Sequence, residues 1–185
     1  AENSLLIPFL NTWSLSIEEQ YYILFPIFLL VIFKLFHKYI GIILIITFVT
    51  SSLLAIWGST NYPSFNFYGL QTRAWELLTG SLISYYREIL MFENKYKRLK
   101  NFLPSLGLFS IIYFVFFIDK STNVPSVYTI PPIIGISLII LYSSKKNFIL
   151  KILSSKLFVG VGLISYSLYL WHYPIFAIAR SKSNI

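Results

Sequence analysis

Six apolar runs, each about as long as a bilayer is thick, constrain this chain more than any motif in it. A membrane helix needs about 20 mostly apolar residues and tolerates about 17. Runs of that size fall at roughly 20–36, 39–58, 71–87, 102–118, 127–143 and 158–178. The composition agrees, with 56% hydrophobic residues, 12% charged residues and a mean hydropathy of +0.70, which lies outside the soluble class. The expected fold class is all-α: a polytopic transmembrane helical bundle of about six spans. No fixed-period repeat or low-complexity linker divides it, so residues 1–185 read as one bundle.

Within the runs, Arg73 and Glu76 make the third the least apolar, and Pro131 with Pro132 stand near the start of the fifth, where missing backbone donors do least harm. Gly80 with Ser81, Gly107, Gly135, and Gly160 with Gly162 are small enough to let helices approach closely. The second, fourth and fifth runs carry no ionisable group at mid-depth and are expected to supply most of the lipid-facing surface.

The net charge of +8 sits in short tracts between the runs, a distribution that reports membrane orientation and excludes nucleic acid as an expected partner. Lys34 and Lys38; Arg87, Lys95, Lys97, Arg98 and Lys100; and Lys145, Lys146, Lys151 and Lys156 occupy alternate loops, eleven basic residues in all. The opposite set holds three, Lys120, Arg180 and Lys182. That asymmetry places the N-terminal stretch, the loop 59–70 and the C-terminal tail outside the cytoplasm. Cysteine is absent, which removes thiolate nucleophiles and disulfides. The chain begins at Ala1 without a recognisable signal peptide and stops at Ile185 soon after an apolar run, so it reads as an internal fragment.

Three helices then bring ionisable groups to the outer leaflet: Glu18 and Glu19 in the first, Arg73 and Glu76 in the third, His172 in the last. A charge at bilayer centre costs about 2.5–3.5 kcal/mol on the insertion scale, so each needs a partner, a wet cavity or a shallow position. Ser14 and Glu18, four apart, share a face if the helix already includes Ser14. Alternatively Thr12, Ser14 or Ser16 caps the helix, and the two acids complement its dipole. Arg73 and Glu76, three apart, form either a structural ion pair beside an interfacial Trp75 or a guanidinium fork presented to substrate and held by its carboxylate. His172 lies in the aromatic segment "SYSLYLWHYP", where tyrosines and tryptophan are ordinary interface anchors; its imidazole suits proton transfer or plain packing. His37 belongs to a basic inner loop. There is no phosphate-binding glycine loop, no His-Glu-x-x-His metal pair and no Gly-x-Ser-x-Gly elbow, so no metal site is assigned.

The blocks "NTWSLSIEEQYYILFPI" (11–27), "TRAWELLTGSLIS" (72–84) and "LISYSLYLWHYPI" (163–175), in this order, resemble the acyltransferase-3 family of integral membrane acyltransferases. The family's Ser-x-x-x-Glu motif falls on Ser14 and Glu18, its Arg-Ala-Trp-Glu element on Arg73 to Glu76, and its Tyr-Leu-Trp-His element on Tyr169 to His172. Asn11 departs from the pattern, since many relatives have histidine there. The resemblance implies O-acylation of an envelope or exported carbohydrate hydroxyl from acyl-CoA, with acetyl as the acyl group. It implies a bacterial plasma membrane location, no bound cofactor, and partners limited to the lipid bilayer, acyl-CoA and the carbohydrate acceptor. It also implies that the histidine base lies on an earlier helix, so that these residues form a partial domain lacking N-terminal helices and the extreme C-terminus. On that footing Glu18, Arg73 and Glu76 are the catalytic candidates, and Ser14 and His172 the substrate-binding ones. The rival from another class is a transporter or flippase whose outer charges line a solute path; a membrane scaffold would leave their clustering unexplained.

Overall fold

A computed structural model describes residues 12–90, 97–119, 122, 124–143 and 147–183. Among the described residues the chain is helical throughout and forms no strand. The long helices are α1 (Trp13–Phe36), α2 (Ile40–Asn61), α4 (Leu70–Tyr85), α6 (Lys97–Phe117), α7 (Ile130–Tyr142) and α9 (Lys156–Ser183). Short helices α3 (Pro63–Tyr68), α5 (Arg87–Leu90) and α8 (Phe148–Leu153) lie between them, with 3-10 turns at His37–Tyr39 and Val127–Thr129. Asn11 and the basic residues Lys95, Lys120, Lys145 and Lys146 lie outside the described residues.

Each apolar run falls on one long helix, but the lengths are unequal. Helix α1 starts at Trp13, ahead of the apolar run, and so already includes Ser14 and Glu18. Thr12 occupies its N-cap position without a side-chain capping bond, and no acid stands in its first turn; the helix-cap reading of this segment is therefore corrected. Helices α4 and α7 span only 16 and 13 residues. Pro131 and Pro132 occupy the first turn of α7, as their missing donors require. Two stretches, Trp13–Asn61 and Lys156–Arg180, are long and apolar enough to cross a membrane, whereas Asn101–Phe117 and Val127–Tyr142 are shorter apolar helices.

Two packed units form the interior. Tyr21 of α1, Leu44 of α2 and Leu78 of α4 are buried together, and the Tyr21 hydroxyl meets Ser81 Oγ at 3.2 Å. Helix α2 contributes a face of small and polar residues, with Gly41, Ser51, Ala55, Gly58 and Ser59 buried. Its other face is apolar and exposed, as expected of a helix that contributes to the lipid-facing surface, while the small-residue face is turned to α4, its principal neighbour. The Ser51 hydroxyl donates to Gln71 O (2.6 Å) and accepts from Trp75 N (3.0 Å), entering the first turn of α4. The second unit is the α6–α7 pair, which crosses at Gly107 and Gly135. A Cβ added to Gly135 would stand 2.6 Å from Gly107 O, so both positions demand glycine for close approach. Gly80, Gly160 and Gly162, read as packing residues from their size, have nothing within 4 Å of an added Cβ.

Asn66 ties the two units together. Fully buried on α3, it donates from Nδ2 to Pro125 O (2.7 Å) while its backbone carbonyl accepts from Thr72 Oγ1 (2.7 Å). Outside, large apolar side chains are widely exposed along α1, α2, α6 and α9, reaching 77% at Phe116 and 80% at Leu163. Such continuous apolar surface suits hydrocarbon rather than water.

Candidate active site

Residue spacing places Trp13, Ile17 and Tyr21 on one face of α1, and Ser14 with Glu18 on the face beside it. Ile17 and Tyr21 are buried. The neighbouring residues Trp13 and Ser14 then reach different helices.

Trp13 serves α4. The Arg73 guanidinium carbon lies 5.2 Å from the Trp13 ring centroid and 6.0 Å from that of Phe67 on α3. The two rings are 4.1 Å apart and tilted by 41°, and Tyr68 meets Trp13 edge-on at 5.4 Å. Arg73 Nη2 also faces Glu76 Oε2 at 3.6 Å, and both side chains are slightly more than one-fifth exposed. An aromatic wall on the guanidinium and a carboxylate beside it leave a fixed cation with part of its edge accessible. Trp75, between the pair in sequence, is buried at 4% exposure and meets Phe48 of α2 edge-on at 6.1 Å, so it is a core residue rather than an interface anchor.

Ser14 serves α9. Its hydroxyl hydrogen-bonds the Tyr169 hydroxyl across the gap between α1 and α9. Beside this contact lies a cleft of about 340 Å³ lined by Ser14, Leu15, Glu18, Ser165, Tyr166 and Tyr169. Glu18 is exposed and lines this cleft, whereas the equally exposed Glu19 does not. The carboxylate and hydroxyls on the lining of this cleft match the hydroxyl groups of a polyol.

His172 lies apart from the cleft. It is exposed on α9, with Nδ1 at 2.8 Å from Tyr169 O and 3.1 Å from Leu168 O. Carbonyls only accept, so Nδ1 is the donor in both contacts. Its ring is 5.9 Å from that of Tyr169.

The structure therefore sets Arg73, paired with Glu76, against Trp13 and places Ser14 and Glu18 on the cleft toward α9, so that adjacent residues at the start of α1 touch two separate polar groups, with His172 one turn beyond Tyr169. Trp13, Phe67 and Tyr169 join the site although sequence reading assigned them no part in it. The only signal for Tyr169 lay in its block, where it is indistinguishable from an interface tyrosine; Trp13 stood beside Ser14 with nothing to connect it to Arg73.

Helices that converge on a cation, two carboxylates and a hydroxyl-lined cleft define a membrane protein with a polar site at one end of its bundle. The chain belongs to the acyltransferase family whose model, described as an acyltransferase domain, matches residues 2–185. It is 33% identical over 191 residues to peptidoglycan O-acetyltransferase OatA of Listeria monocytogenes, covering 96% of this chain and 30% of that protein. It is 30% identical over 187 residues to O-acetyltransferase OatA of Staphylococcus aureus strain NCTC 8325, covering 94% and 30%. A putative O-acetyltransferase of S. aureus strain COL is 29% identical over 185 residues, covering 95% and 31%. The chain thus spans just under a third of the length of these curated relatives. No solved structure matches.

Proposed function

We propose that this chain is part of a plasma-membrane O-acyltransferase that transfers acetyl from acetyl-CoA to a hydroxyl of an envelope or exported carbohydrate. The carrying observation is that adjacent residues of α1, Trp13 and Ser14, join the Arg73–Glu76 pair to the hydroxyl-lined cleft. The family and the O-acetyltransferases that the chain resembles supply the reaction class.

In this reading a base outside these residues takes the acceptor proton, and the alkoxide attacks the thioester carbonyl carbon. The tetrahedral oxyanion collapses, the C–S bond breaks, and coenzyme A leaves as its thiolate and takes up a proton. Arg73 stabilises the developing negative charge, a term that catalysis by fixed donors commonly makes large. Glu76 orients Arg73, while Glu18 and Ser14 accept from or donate to acceptor hydroxyls. His172 ranks last, since it stands outside the cleft.

The six long helices all cross the membrane in this reading, the shorter α4 and α7 spanning a locally thinned or polar-lined region, with the start of α1 outside the cytoplasm. The test is acceptor-dependent acetyl transfer from acetyl-CoA by the full-length protein in membranes. Charge reversal by Arg73→Glu or Glu18→Lys is expected to abolish transfer while leaving membrane insertion intact; wild-type transfer in either variant refutes the assignment.

A further inference from the structure

Helix α2 offers Phe48, Ser52 and Ile56, and α4 offers Trp75 and Thr79, each set four apart and so on one face of its helix. Ser126, which caps the 3-10 turn ahead of α7, joins Ile130, Ile133 and Ser137 of that helix to close a cavity of about 340 Å³ between the three elements.

Two buried donors in its walls lack acceptors among the described residues. Trp75 is 4% exposed, and although its backbone N–H meets Ser51, its indole Nε1–H is buried without a partner. Ser126 is 7% exposed; its Oγ accepts from Tyr128 N (3.4 Å), and no described residue takes its own proton. The other hydroxyls of the lining differ. Ser52 donates to Val49 O (2.9 Å), Thr79 to Trp75 O (2.8 Å) and Ser137 to Ile133 O (2.7 Å), each within its own helix. A buried donor with no acceptor carries the full penalty of its desolvation, so what the cavity requires is an acceptor.

The lining then fixes the kind of acceptor. It holds no charged residue, and an anion between such walls would leave water with no countercharge. A hydroxyl or a water brings hydrogens of its own, whereas a carbonyl oxygen only accepts and has two lone pairs, one for each donor. The remainder of the ligand faces Phe48, Ile130 and Ile133 and is therefore apolar. Ile56 and Ile134 also border the cavity and are 41% and 52% exposed on the apolar outer surface, which gives the bilayer access to it. The bilayer component that joins a neutral carbonyl directly to a hydrocarbon chain is the fatty-acyl ester of a glycerolipid.

We propose that the cavity between α2, α4 and α7 binds a fatty-acyl ester of a membrane glycerolipid, its carbonyl accepting from Trp75 Nε1 and Ser126 Oγ and the start of its chain lying along Phe48, Ile130 and Ile133. The inference concerns binding and stands whether or not the chain takes part in acetyl transfer.

The test reconstitutes the full-length protein in nanodiscs of a diester phosphatidylcholine mixed equally with its diether analogue, matched in head and chain length. Native mass spectrometry then counts the lipid that stays bound after extraction into detergent. The ester lipid is expected to be retained about fivefold over the ether, which lacks the carbonyl. Trp75→Phe keeps an aromatic ring but removes the indole donor, and should bring that ratio close to one. Ser126→Ala should lower it by about threefold, and it serves in place of Trp75→Phe should that variant misfold. Equal retention of the two lipids by the wild-type protein shows that water or another part of the protein meets the donors, and overturns the proposal. An ester preference that survives both substitutions overturns it as well.

Discussion

The Arg73 guanidinium lies 5.2 Å from the centroid of the Trp13 ring, so the first residue of α1 holds the cation of α4 in place. A cation–π contact contributes about 0.5–1 kcal/mol when exposed and about 2 when desolvated, and Arg73 lies between these limits. Trp13→Ala is therefore expected to lower kcat/KM for acetyl transfer by about 3- to 30-fold, and Trp13→Phe by less. Arg73→Lys should behave like a loss of function, because an ammonium neither stacks as a plane nor forks toward Glu76. Steady-state kinetics of the full-length protein check both.

Ser14 and Tyr169 are expected to act as one unit. A hydrogen bond of this kind is worth about 0.5–1.5 kcal/mol net. Ser14→Ala and Tyr169→Phe should each lower the unfolding midpoint in detergent, and the double variant should be little worse than either single one. Full additivity in the double-mutant cycle would show that the two hydroxyls are not coupled.

The glycines divide into two groups with opposite outcomes. Gly135→Ala forces its new Cβ onto Gly107 O and should cost about 1–3 kcal/mol through separation of α6 from α7. Gly80→Ala has open space before it and should stabilise α4 by about 0.5–1 kcal/mol, the usual helical gain over glycine. Thermal unfolding of the two variants side by side measures the contrast.

Asn66→Ala is expected to destabilise by about 1–3 kcal/mol, because Pro125 O is left without its buried donor. Asn66→Asp should be at least as harmful, since it sets a carboxylate oxygen against that carbonyl. Loss of folded protein on heating gives the readout.

The all-helical architecture was legible because each long apolar run is continuous enough to form a helix, and each falls on one. The motif residues of α1 and α4 were legible as chemistry, since a carboxylate or guanidinium among apolar residues needs a local cause. Their partners were not. Trp13 and Phe67 reach Arg73 from two other elements, and a tryptophan near a membrane interface reads the same whether it anchors, packs or stacks. Trp75 illustrates the converse, an apparent anchor that is buried against α2. Gly80 and Gly107 are equally small on paper; only a neighbour's position distinguishes an open slot from a helix crossing. Nor does apolarity alone say which face of α2 meets lipid, because its buried face is marked by small and hydroxyl residues rather than by charge.

That face carries a consequence for the site. Ser51 enters the start of α4 between Gln71 O and Trp75 N; Arg73 lies within that turn and Glu76 directly follows it. Rotating or sliding α4 against α2 would break both of its bonds, so the azimuth of the ion pair is set by a hydroxyl on a helix that carries no ionisable residue of its own. The direction in which the charged pair points is thereby written into the least charged part of the bundle.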